Sequence, residues 1–167
     1  TLVPPIPIPT IGLYASGVLP PSLTQAFGVD QGVPVSVTAQ LSATNPCLSV
    51  QAGSSVGTVP IMSIGSGALQ ATYFEFSVAP TGCTVGTSVI PAGMSMAFDG
   101  EIFGTAVDVS ANLSLAPTIF TTDIAVGAFS VPGTGGGLSF DDTVISVEVN
   151  QLTNVNRVAF SGGISIF

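Results

Sequence analysis

The sequence predicts an all-β fold: an antiparallel β-sandwich or jelly roll of about eight strands, built from two degenerate halves, with an extended proline-rich arm at its N-terminus. Three observations lead there. Apolar and polar residues alternate at period two in several windows, and no window combines helical i, i+3, i+4 spacing with capping signals. Gly and Pro clusters separate those windows and supply the backbone angles of tight reversals. A set of segments recurs at a nearly constant offset.

The arm comes first. Thr1–Ile11 carries Pro4, Pro5, Pro7 and Pro9, which remove donors and clash with any helical turn, so this segment runs extended. In an extended chain successive residues face opposite edges, so Pro5, Pro7 and Pro9 delete donors from one edge only. Such a segment joins a sheet on one side and discourages growth beyond it. Leu2, Val3, Ile6, Ile8 and Ile11 are its apolar contacts, expected to seat on a neighbouring subunit as an added strand. The other reading is an edge strand on the chain's own domain. Gly12, Gly17, Pro20 and Pro21 read as a hinge, giving an arm-and-hinge region 1–21 and a single β domain 22–167.

The body follows. Val33, Val35, Val37, Ala39 and Leu41 alternate with polar residues or proline, as Val107, Val109, Ala111, Leu113 and Leu115 do with polar residues. Further strand candidates are Thr72–Val78, Met94–Phe103, Thr143–Val149 and Arg157–Phe167. Val35–Ser42 aligns with Val107–Ser114, Thr72–Val78 with Thr143–Val149, and Ala97–Ile102 with Ala159–Ile164. This spacing predicts pseudo-repeats 26–96 and 97–167, each with about four strands that bury one face against the other half. The last residues, Gly162–Phe167, read as a paired core strand.

Composition narrows the function. Nine acidic residues and one basic residue give a net charge of -8, and only 6% of residues are charged, against roughly 25% in ordinary domains. With no His, the usual general base and metal ligand is missing, which excludes Ser-His-Asp, Cys-His and zinc-histidine chemistry. Arg157 is the single cation, too little to neutralise phosphates, so nucleic acid is not a partner. Mean hydropathy is +0.71, yet no run approaches the roughly 20 apolar residues of a spanning helix. Two Tyr and no Trp are too few for the aromatic girdles of a membrane barrel. A surface this poor in ions is expected to be covered by other copies of the chain.

Cys47 and Cys83 are the only cysteines, and with no His available their spacing suits a loop-closing disulfide. A bridge implies an oxidising compartment, hence secretion or the cell surface. A chain starting at Thr1, without an initiator Met, is expected to be a processed form. Asp99 with Glu101, and Asp141 with Asp142, are the acid pairs that could act in glycoside hydrolysis or ligate a structural Ca²⁺. Sugar chemistry usually also presents aromatic platforms, and no base is present to activate Ser or Thr. The chain is therefore read as non-enzymatic, with no cofactor. Asn112-Leu113-Ser114 is the one N-glycosylation sequon, which makes Asn112 a candidate glycan acceptor.

With the Thr1–Ile11 arm, an all-β repeat body and little charge, the chain resembles the self-assembling subunits of prokaryotic extracellular fibres: donor-strand pili, archaeal bundling pili and spore appendages. It lacks the typical C-terminal pattern of chaperone–usher pilins. The resemblance implies a secreted homopolymer that grows head to tail by inserting the arm into the next subunit. The alternatives are a secreted β-sandwich module binding carbohydrate or an apolar ligand, and a viral coat or decoration protein.

Overall fold

A computed structural model of the chain describes residues 10–42, 44–56, 59–115, 117–130 and 138–166. Four of the five expected arm contacts, Leu2, Val3, Ile6 and Ile8, lie outside the described residues. The rest is antiparallel β-structure. Strands β1 (Ile11–Leu19), β2 (Val33–Leu41), β3 (Cys47–Gly53), β4 (Met62–Ile64) and β5 (Leu69–Ala79) come first. A short hairpin of β6 (Cys83–Val85) and β7 (Ser88–Ile90) precedes β8 (Gly93–Ile102), β9 (Thr105–Leu115) and β10 (Thr118–Val126). The chain ends with β11 (Phe129–Ser130), β12 (Leu138–Phe140), β13 (Thr143–Asn150), β14 (Val155–Ser161) and β15 (Ile164–Ile166). One helical turn, α1 (Pro21–Thr24), runs into a 3-10 turn at Gln25–Phe27.

The main sheet is a meander in the order β1-β2-β3-β5-β8-β9-β10-β13-β14, with β4 added beside β5. Ten strands share this hydrogen-bonded sheet, against the eight or so expected of a sandwich or jelly roll, and β11-β12-β15 and β6-β7 form two smaller sheets. Each long strand pairs with the next long strand in sequence, so no connection crosses to a second large sheet. A two-residue reversal joins β8 to β9 through Phe103 (φ 52°) and Gly104 (φ 76°). Positive φ at both positions is the geometry that matches the twist of a two-residue hairpin. The segments that align in sequence fall on β2 with β9 and on β5 with β13, the first and third strands of two successive four-strand runs.

Residues 11–19, expected as the end of the arm and a hinge, form β1 and pair along their whole length with β2. Ile11 lies opposite Leu41, and Gly12 and Gly17 lie within the strand. Gly12 has a packing reason to be Gly: a Cβ there would come 3.2 Å from Val85 Cγ1 in the hairpin that passes over it. Pro20 and Pro21 end β1 and open α1, where a missing N–H costs nothing. Thr24 is fully buried, and its hydroxyl, 2.7 Å from the Gln31 carbonyl and 3.0 Å from that of Val29, fastens this turn to the chain leading into β2.

Few side chains are fully buried. The hydrophobic cluster among them is Cys47, Ala79, Cys83 and Ile90, with Val85 packed alongside. Cys47 and Cys83 form a disulfide across a Cα–Cα distance of 6.4 Å. It clips the β6–β7 hairpin to the start of β3, above the same end of the sheet from which β8 departs.

Candidate assembly surface

Antiparallel partners point to the same side, so the registers assign every strand residue to one of two faces. One row crosses the sheet as Ala15, Val37, Val50, Phe76 and Met96, then continues through Ala111, Thr122, Val147 and Val158. The next row holds Val35, Ala52, Phe74 and Phe98, followed by Val109, Ile124, Ile145 and Phe160. This face is apolar across nine strands. Its Thr122 donates its hydroxyl to the Ser110 carbonyl at 2.9 Å, which removes the one polar group from its row.

The opposite face is polar. Its central row runs through Ser36, Gln51, Glu75 and Ala97 to Ser110, Asp123 and Ser146. All six strand carboxylates lie on this side: Glu75, Asp99, Glu101, Asp108, Asp123 and Glu148. The period-two alternation along each strand, fixed in register with its neighbours, therefore decides which face carries charge.

The apolar face is covered in part. At one end α1 and the 3-10 turn lie against this face, beside an apolar cavity of about 330 Å³ lined by Leu19, Phe27, Val33, Met62, Phe74 and Phe98. Beyond it the face is open. A second apolar groove of about 250 Å³ runs between Phe76, Met94, Met96, Ala111, Leu113 and Phe120. Met96 is 41% exposed, and on the last strand Val158 is 71% and Phe160 62% exposed. Both sheet edges are also open, since β1 and β14 each have a single strand neighbour among the described residues.

The structure places the acid pairs as follows. Asp99 and Glu101 share the polar face of β8, as their spacing predicts, and together with Gln70, Asp108 and Asp142 line a cleft of about 570 Å³. Among the described residues no three Asp, Glu, Cys or His side chains are grouped to hold a metal ion. Asp142 instead accepts a hydrogen bond from the Ala128 N–H at 2.9 Å. Arg157 pairs with Glu148 at 3.4 Å on an exposed edge, a contact of small worth. Asn112 is exposed on the polar face of β9. Tyr73 donates to the Glu75 carboxylate, and burial followed by that carboxylate pushes the phenol well above its ordinary range.

Asp99 sits directly opposite Asp108 across the β8–β9 pair. Burial first, and then the Asp108 charge, raise the Asp99 carboxyl above the usual range. The folded chain thus holds this proton more tightly than the unfolded chain. The associated stability is complete below the unfolded pKa and is lost as pH rises through the folded one. Asp108→Asn is expected to raise stability at neutral pH by roughly 0.2–1 kcal/mol, the range for like charges facing each other across strands. Urea melts at pH 7 and near pH 4 check it: the variant's gain shrinks at the lower pH, and a gain independent of pH contradicts the assignment.

The sheet geometry accounts for only part of what the sequence suggested. Ile11, the one expected arm contact within the described residues, is paired in its own sheet. The exposed apolar face was not legible as a surface, because alternation shows that one side wants cover without showing what covers it. Among the described residues no helix is long and apolar enough to cross a membrane. Comparison with protein-family models, curated proteins and solved structures gives no match to this chain.

Proposed function

We propose that the chain is a structural, non-enzymatic subunit of a secreted, self-assembling filament, in which the N-terminal arm of one copy adds a strand to the sheet of the next. The observation that carries this reading is the open edge of β14, exposed along all seven of its residues, from Val155 to Ser161. An edge strand with unpaired N–H and C=O groups and bare Val158 and Phe160 side chains is a template for another strand. The arm suits it. Pro5, Pro7 and Pro9 fall on one edge, so the arm pairs once and caps the sheet, while Ile6 and Ile8 supply the apolar contacts. A contact between different surfaces of identical copies does not close on itself and gives a filament. The disulfide fits an oxidising, extracellular setting.

Removal of residues 1–10 leaves β1 whole and tests the arm. Light scattering and electron microscopy are expected to show long polymers from the intact chain and short soluble species from the truncation. Polymers of equal length from both would overturn the reading. The apolar cavity beneath α1 favours a second reading, a secreted module holding a small apolar ligand. That reading gains if the truncation changes nothing and the cavity takes up an apolar dye.

A further inference from the structure

We propose that the open part of the apolar face packs against the same face of a second copy, so that two chains build the two-layer sandwich that one chain does not. This contact is separate from the arm and needs none of residues 1–10.

Area is the first argument. Nine strands about 4.8 Å apart, each presenting about eight residues at roughly 3.4 Å, make a face of roughly 1,200 Å². Even with roughly a quarter of it under α1 and the 3-10 turn, a pair of chains buries about 1,800 Å², within the roughly 1,200–2,000 Å² of stable, specific interfaces. Shape is the second. Bulky Phe76, Met94 and Met96 rise beside small Ala111 on neighbouring strands, leaving the groove that side chains of a facing sheet can enter. Methionines adapt to such irregular gaps.

Charge is the third. A net charge of -8 should drive copies apart, yet all six strand carboxylates are on the other face. Sheets packed about 10 Å apart keep the two acidic faces roughly 20 Å from each other, beyond a Debye length of about 8 Å. Repulsion therefore falls on the outside of the pair, and an apolar, uncharged layer meets its like.

Lipid is the competing occupant, and two features disfavour it. An open sheet edge does not survive in hydrocarbon, and β1 and β14 are both edges within this chain. The only tyrosines, Tyr14 and Tyr73, sit on the polar face, whereas interfacial aromatic girdles need them on the apolar one.

The test uses the full chain with a benzophenone amino acid in place of either Met96 or Ser95. These are sequence neighbours on β8 that point to opposite faces. Illumination of a dilute sample is expected to give a covalent dimer from the Met96 probe at least tenfold more than from the Ser95 probe. A probe at Leu113, on the same apolar face, repeats the test if the Met96 position disturbs folding. Equal yields from the two faces overturn the proposal. So does a Met96 probe that reacts with phosphatidylcholine vesicles and not with a second copy. Filament length reads the arm and cross-linking reads the face, so either contact can fail without the other.

Discussion

Replacement of both Cys47 and Cys83 by Ala is expected to cost about 3–4 kcal/mol, from the loop-closure entropy of a bridge of this span. The two residues are 36 apart in sequence, and the loop they close contains β3, β4, β5 and the turn into the hairpin. The effect reaches further than the loop. Both sulfurs belong to the one cluster of buried apolar residues, with Ala79 and Ile90, so the truncated side chains also leave a gap there. The β6–β7 hairpin would lose its tether over the polar face. Thermal denaturation should show the melting temperature of the variant about 10 °C below that of the parent. Loss of less than about 1 kcal/mol would mean that the hairpin is held by packing alone.

Gly93→Ala is expected to destabilise by about 3 kcal/mol, since it combines a strained backbone with a collision. Gly93 opens β8 with φ +109°, a region that side chains rarely adopt. A Cβ added there would overlap the carbonyl oxygen of Leu113 on the adjacent strand, and backbone cannot swing away as a flexible side chain can. The β8–β9 pair, near the middle of the sheet, would have to part at that end. Gly104→Ala serves as the control. Its φ is also positive, at +76°, but an added Cβ meets nothing within 4 Å. Urea denaturation should place the Gly93 variant well below the Gly104 variant, and equal losses would show that conformation alone, without the close approach, sets the cost.

The strands were legible because their chemistry is local. Val33–Leu41 and Thr105–Leu115 alternate cleanly, and each residue's face follows from its parity alone. The disulfide was legible because the chain offers a single pairing. Edges and layers were not. Gly12 and Gly17, between prolines, carry the signature of a hinge, yet β2 supplies a hydrogen-bonding partner for the whole segment. Gly12 pairs with Gln40 and Gly17 with Val35, partners beyond the reach of a local pattern. The period-two signal likewise requires cover for the row of Val37, Phe76 and Met96, and a cover from the second half of the same chain satisfies it no better than one from another molecule. The cleft beside Asp99 and Asp108 needed the β8–β9 register to bring the two carboxylates opposite each other; their separation of nine residues says nothing without it.

Sedimentation of the intact, oxidised chain at low micromolar concentration, without detergent or lipid, addresses self-association directly. An apolar sheet face left open over this much area should yield species of at least twice the 16.6 kDa chain mass, with larger polymers as concentration rises. A single, concentration-independent boundary at the mass of one chain would contradict it.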